Sequence, residues 1–374
     1  MLKKAFFATV YAAVIAAPLA ANAFELKAEA YVVGDPESGR LLLTHNSASI
    51  LQPASLTKMM TLYMLFSALE RGELTLESDI LVSEKAWKTG GSKMFIEVGK
   101  MAKVEDLIKG ITVSSGNDAC IAVAERLGGT EEAFAQMMTT KGQEIGLKNT
   151  VFLNASGWPM EGHVTTPEDM FTLSRALVRD FPQYYHYFSL RSFTYSGITQ
   201  PNRNGLLRRN VGVDGLKTGH TEESGYHLVA SAERDGQRFM AVIMGTNSMK
   251  AREAEALKGL SWAFGRYKTY NITTEGEEFT QAPVRYGQAE MVPAVAAETG
   301  RWLLSFDQHQ EMQKTITLNP IIQAPLKKGD QIGTVTFTTK DLPEKTVSLV
   351  AGADVPEKDF FAKILEMAKR AVLN

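Results

Sequence analysis

A chain of 374 residues with a single cysteine, Cys120, cannot close an intrachain disulfide. It must hold its shape by burying a large apolar core. The requirement is sharper because residues 1–23 read as an export leader: Lys3 and Lys4, an apolar run over 5–19, then the small-x-small pattern Ala21-Asn22-Ala23. The apolar run is short for spanning a bilayer. Cys120 sits in Asn117-Asp118-Ala119-Cys120-Ile121-Ala122-Val123-Ala124, an apolar helix face that predicts a packed thiol rather than a reactive one.

Hydrophobic residues at 44% and charged residues at 22% exclude wholesale disorder and a polytopic membrane protein. The length allows two domains. The net charge of −2 becomes slightly more negative when the leader takes its two lysines away, and no long basic run points to a nucleic-acid partner.

Strands are expected over 30–33 and 41–44, joined through the turn Asp35-Pro36-Glu37-Ser38-Gly39. A helix runs from Pro53 to Leu69 with Gly72 as its stop. Further helical patterns cover 104–111, 118–127, 131–145 and 167–179. Strands over 227–232 and 239–245, separated by Arg234-Asp235-Gly236-Gln237, are expected to join the first hairpin in one antiparallel sheet, closed by a helix over 251–267. The result is an α/β domain over 24–270, with a helical insert between sheet-forming ends.

Residues 271–355 alternate in period two at 314–318, 333–337 and 346–350, which predicts a small all-β domain. Residues 356–374 form an amphipathic helix. Phe360, Phe361, Ile364, Leu365, Met367, Ala368 and Val372 share one arc, opposite Lys363, Glu366, Lys369 and Arg370. The paired Phe and basic polar face fit a membrane interface; packing against the β domain or a partner helix are the other two readings.

Three short elements carry chemistry. Ser55-Leu56-Thr57-Lys58, the chain's only Ser-x-x-Lys, sets a hydroxyl and an amine one helical turn apart. The amine takes the serine proton only if its pKa is lowered. Ser115-Gly116-Asn117, the only Ser-x-Asn, offers a hydroxyl and a carboxamide before the Cys120 helix; alone it reads as well as a helix N-cap. Lys217-Thr218-Gly219 enters the strand-rich region, where alternation aims Lys217 at a cleft and Gly219 admits a substrate backbone. Lys88-Thr89-Gly90 repeats those letters but lies ahead of Ser115 and leads into Gly91-Ser92-Lys93, so it reads as a turn.

In order and context the three elements resemble the Ser-x-x-Lys, Ser-x-Asn, Lys-Thr-Gly set of penicillin-binding proteins and related β-lactamases. The flanks Pro53-Ala54-Ser55-Leu56-Thr57-Lys58-Met59-Met60, Ser115-Gly116-Asn117-Asp118-Ala119-Cys120, Asn202-Arg203-Asn204-Gly205-Leu206-Leu207 and Asp214-Gly215-Leu216-Lys217-Thr218-Gly219-His220-Thr221 are similar to those of low-molecular-weight D-alanyl-D-alanine carboxypeptidases. The resemblance extends over nearly all the chain after the leader.

It implies a β-lactamase/transpeptidase-like catalytic fold, with Ser55 as nucleophile, Lys58 as base and Ser115 as proton shuttle. Asn117 would hold the acyl-side amide. Lys217 and Thr218 would bind near the terminal carboxylate, with the N–H groups of Ser55 and His220 as oxyanion hole. Arg252 is placed as the carboxylate-binding arginine, with Arg203 as the other candidate. The implied substrate is a peptidoglycan stem pentapeptide, with β-lactams as covalent inhibitors and the outer face of the cytoplasmic membrane as the place of action.

The segment Gly157-Trp158-Pro159-Met160-Glu161-Gly162-His163 departs from the family's usual loop, and His163 and His220 are candidates for tuning deacylation. The Glu-x-x-Leu-Asn of common β-lactamases is absent, so penicillin should inhibit rather than turn over. A carboxylate-binding Arg argues against a D,D-endopeptidase, and intact Ser55, Lys58, Ser115 and Lys217 argue against a non-catalytic wall-binding scaffold. No His-Glu-x-x-His occurs, and neither metal nor cofactor is expected.

Overall fold

The computed structural model describes residues 24–373, with side chains described as far as Ala368. The leader expected over 1–23 lies outside the described residues. Strands β1 (Ala30–Gly34), β2 (Leu41–His45), β3 (Val213–Thr221), β4 (Gly225–Arg234) and β5 (Gln237–Thr246) form one antiparallel sheet in the order β2-β1-β5-β4-β3. The first hairpin thus joins the later strands as the β-rich runs and their turn residues predict, with Val33 opposite Ala241.

Two layers cover the sheet. On one face lies the helical insert: α1 (Lys58–Glu70), α2 (Asn117–Gly128), α3 (Glu131–Glu144) and α4 (Pro167–Asp180). Helix α1 is apolar nearly all round, so it sits at the centre, with Met59, Met60, Leu62, Leu65 and Phe66 fully buried. On the other face α5 (Met249–Arg266) packs Ala256, Leu260 and Ala263 against Val33, Ala230 and Ala241. Cys120 is buried within the α1 layer and its thiol is pushed up to about 12 by burial, as a packed thiol requires.

Three local departures matter for the site. The helix expected from Pro53 begins as a 3-10 turn, Ala54–Thr57, before α1. The helix expected over 104–111 is α-helical only over Val104–Lys109 and widens into a π turn over Gly110–Ser114. The helix expected to reach residue 267 stops at Arg266 and runs directly into a strand, Tyr267–Asn271, paired with Arg301–Ser305. This pair ties the β domain to the catalytic one. Leu303 enters the α5 core, Arg40 Nη1 donates to the Leu303 carbonyl at 3.0 Å, and the Thr269 N–H donates to Gln237 Oε1 at 3.0 Å.

The β domain is a five-stranded antiparallel sheet of β6 (Glu278–Pro283), β7 (Met291–Ala296), β8 (Gln313–Leu318), β9 (Gln331–Thr338) and β10 (Lys345–Ala351), ordered β6-β7-β10-β9-β8. It has its own core around Val335, Phe337 and Leu349. Helix α6 (Phe360–Leu373) follows. Its apolar residues do not cover the β domain, for Phe360 and Phe361 remain 71% and 82% exposed, while Glu366 on the polar side pairs with Lys358 at 2.8 Å. Among the described residues no helix is long and apolar enough to cross a membrane.

Candidate active site

The 3-10 turn presents Ser55 at the mouth of α1, and Lys58 follows one turn later in the protein interior. The turn is tight: Ala54 has φ 46°, and Gly157, at φ 80°, packs so closely that a Cβ on it would stand 1.8 Å from the Ala54 carbonyl oxygen. Beneath it Thr57 Oγ1 shares a hydrogen bond of 2.9 Å with His163 Nε2. Burial pushes His163 down to about 4, so it is a neutral strut under the turn.

Lys58 Nζ lies 2.9 Å from Ser55 Oγ and donates to Asn117 Oδ1 at 2.7 Å and to the Ser156 carbonyl at 2.5 Å. A neutral amine has two N–H bonds and one lone pair. With its two N–H groups on Asn117 and Ser156, the lone pair faces Ser55. Burial lowers the Lys58 pKa to about 8, assisted by the positive charge of Arg203.

Ser115 emerges from the π turn at φ 58°, a conformation uncommon for a serine, which sends its hydroxyl back toward the sheet. The N-cap reading of this element fails, because the cap position of α2 is Gly116 and no side chain caps it. Asn117 instead spends both ends of its carboxamide, accepting from Lys58 and donating from Nδ2 to the Gly90 carbonyl at 2.8 Å. It therefore holds Lys58, a contact additional to the acyl-amide contact that the resemblance implies for it. Asp118 accepts the N–H groups of Met94 and Phe95 at 3.0 and 2.9 Å, which fastens that loop to the head of α2.

Strand β3 is the sheet edge facing these two elements. Lys217 Nζ donates to Ser115 Oγ at 2.9 Å and to the Thr218 carbonyl at 3.0 Å, and burial holds its pKa well below the ordinary lysine value. Gly219 lines the cleft, and a Cβ there would also lie 3.2 Å from the Pro53 carbonyl, so the glycine lets β3 press against the Ser55 turn. His220 is exposed and stacks on Tyr226 at 3.9 Å.

Both arginines line the same cleft, of about 700 Å³, with Ser55, Ser115, Thr218 and His220. Arg252 donates Nη1 to the Gly219 carbonyl at 3.1 Å, lies over Tyr226, and has a buried Nε with no partner; burial lowers it to about 10. Arg203 donates Nε to the Ser114 carbonyl at 3.1 Å.

All ten residues singled out in the sequence therefore converge on this cleft or directly beneath it. Sequence reasoning missed the carbonyls of Ser156 and Gly90, along with Tyr226, Arg208 and Lys250. The Gly90 carbonyl belongs to the repeated Lys-Thr-Gly, which lies outside any strand but at the site's edge. Gly157 was the one available signal for the Ser156 carbonyl.

Residues 16–248 match the family model for D-alanyl-D-alanine carboxypeptidase, and residues 267–357 match that for the C-terminal domain of penicillin-binding protein 5. The D-alanyl-D-alanine carboxypeptidase DacA of Escherichia coli (strain K12) is 36% identical over 356 residues, spanning 92% of this chain and 88% of its own. Penicillin-binding protein 5 from Haemophilus influenzae superposes with a TM-score of 0.75 at 35% identity, covering 90% of this chain and 99% of that one. Penicillin-binding protein D2 from Listeria monocytogenes, solved in an ampicillin-bound form, superposes with a TM-score of 0.59 at 28% identity over 65% of this chain and 99% of its own.

Proposed function

The chain belongs to the D-alanyl-D-alanine carboxypeptidase family, and from that premise we propose that it removes the terminal D-alanine of peptidoglycan stem pentapeptides through a Ser55 acyl-enzyme. The observation that carries the reading is a pair of serine–lysine contacts meeting in one cleft, Ser55 with Lys58 and Ser115 with Lys217, each at 2.9 Å. Two hydroxyls, each beside an amine of lowered pKa, supply both proton transfers that acyl transfer needs.

Ser55 Oγ bonds to the carbonyl carbon between the two D-alanines as its proton passes to Lys58. As the C–N bond breaks, Ser115, held by Lys217, gives its proton to the departing amine and takes in its place the one Lys58 received from Ser55. The developing oxyanion takes the N–H groups of Ser55 and His220, the latter on the sheet's edge strand, where alternate N–H groups are free of the ladder. Thr218 and Arg252 receive the terminal carboxylate, with Arg203 beside them. Water then cleaves the ester and regenerates Ser55.

A β-lactam enters the same acylation, a reading supported by the ampicillin-bound Listeria relative. Lacking a glutamate in the Glu-x-x-Leu-Asn pattern, the acyl-enzyme should turn over slowly. We place the enzyme outside the cytoplasmic membrane, attached peripherally through α6, on the strength of the leader pattern and the uncovered apolar face. The test is release of D-alanine from a muropeptide pentapeptide by the purified protein and by Ser55→Ala. Loss of both release and covalent penicillin labelling in the variant is expected; labelling that survives would move the nucleophile elsewhere.

A further inference from the structure

The Ser55 turn and the strand β3 that faces it come from distant parts of the chain, yet an oxyanion hole built from the Ser55 and His220 N–H groups needs a fixed distance between them. Packing supplies only half of this. A Cβ on Gly219 would stand 3.2 Å from the Pro53 carbonyl, so contact there stops the turn and the strand from closing further. Contact does not stop them from parting.

His227 provides the tie. It lies on β4 directly opposite Gly219, is buried, and lines no part of the cleft among the described residues. The ladder to β5 slips at this point: Tyr226 faces Thr246 and Leu228 faces Ile243, so Met244 and Gly245 together stand opposite His227. Gly245 takes φ 74°, which suits glycine, and its N–H donates to His227 Nδ1 at 3.0 Å. A backbone N–H can only donate, so Nδ1 is the acceptor and the neutral ring carries its proton on Nε2. Burial lowers the His227 pKa to about 4, which keeps the ring neutral at ordinary pH. Nε2–H then donates to the Gln52 carbonyl at 3.1 Å, three residues before Ser55. Among the described residues no other hydrogen bond joins residues 52–55 to the sheet.

We propose that His227 is a positioning residue for the oxyanion hole, holding the Gln52 carbonyl to β4 and so fixing the Ser55 N–H relative to the His220 N–H on β3. This rests on the acyl-enzyme reading above. The linkage is short on both sides. From Gln52 the chain passes through Pro53, whose ring restricts φ, into the 3-10 turn that presents Ser55. From His227 the next residue back is Tyr226, which pairs with His220. Negative charge develops on the substrate oxygen only as Ser55 bonds to the carbonyl carbon, so a loosened tie slows acylation and leaves the first, non-covalent encounter alone.

The test separates those two steps. Rapid mixing with a chromogenic β-lactam gives the dissociation constant of the non-covalent complex and the first-order rate of acylation. A boronic acid that adds to Ser55 as a tetrahedral anion reports affinity for the shape of the transition state. In His227→Asn an acceptor for Gly245 remains but the side chain is too short to donate to Gln52. Acylation should slow about tenfold to a hundredfold and boronic acid affinity should fall by the same factor, with the dissociation constant unchanged within about twofold. His227→Gln carries an N–H far enough to reach the Gln52 carbonyl and should recover most of the rate. Acylation at the parental rate in His227→Asn, or an equal loss in both variants, overturns the proposal. So does a loss that appears in the dissociation constant, or slower acylation with undiminished boronic acid affinity. Failure of the unsubstituted protein to acylate would overturn the acyl-enzyme reading and this proposal with it.

Discussion

The lowered pKa of Lys58 makes the pH dependence of acylation a stringent test of the site. The amine is a base only when neutral, so acylation should rise with pH, nearly tenfold per unit below the midpoint, and level off above it. With the pKa at about 8, roughly one enzyme in ten has a neutral Lys58 at pH 7. An ordinary lysine at 10.5 would give about one in 3,000, so burial contributes on the order of 300-fold at that pH. The assay is the second-order rate of acylation by a chromogenic β-lactam from pH 5.5 to 9.5. Arg203→Gln removes a like charge and should move the midpoint to higher pH, whatever it does to the plateau. A flat profile between pH 6 and 9, a midpoint near 10.5, or a downward shift in Arg203→Gln would refute the assignment of Lys58 as the base.

Two further outcomes follow from packing. Gly157→Ala adds a methyl 1.8 Å from the Ala54 carbonyl at φ 80° and should cost at least about 2 kcal/mol, a drop in Tm of roughly 5 °C or more. Gly162→Ala, at φ 83° but only 3.6 Å from Leu153, isolates the backbone strain and should cost about half as much; equal Tm values for the two variants would discredit the contact with the Ser55 turn. Deleting residues 357–374 should leave kcat/KM on soluble pentapeptide unchanged and abolish co-sedimentation with anionic vesicles, whereas Phe361→Ala should weaken vesicle binding roughly tenfold. Undiminished sedimentation of the truncated protein would remove α6 as the attachment.

The sequence made the side-chain chemistry readable because Ser55–Lys58, Ser115–Asn117 and Lys217–Gly219 are local patterns whose spacing survives folding. The sheet was readable for a similar reason, since β1, β2, β4 and β5 are short β-rich apolar runs and their turns have distinct residue signatures. Backbone groups were not readable. The Ser156 and Gly90 carbonyls that fix Lys58 and Asn117 carry no residue type, and any sequence presents the same acceptor. Nor does a helical pattern distinguish an α turn from the π turn of Gly110–Ser114, whose extra width turns Ser115 to Lys217. The close approach of Gly219 to the Ser55 turn was not readable either, because its neighbour there, Pro53, is more than 160 residues earlier.

The pairing of β1 with β5 has a consequence for the order of events during synthesis. Residues 30–34 pair early with β2 on one side but find their second partner only when residues 240–244 arrive, and β3, which carries Lys217, is attached through β4 to that same late strand. Contacts of such long range close slowly and together. A nascent or partly threaded chain therefore contains Ser55 and Lys58 without the wall against which they work, and it is chemically silent. Covalent capture of a fluorescent penicillin would report when the last strand has docked, and could serve as a clock for folding at the site of action.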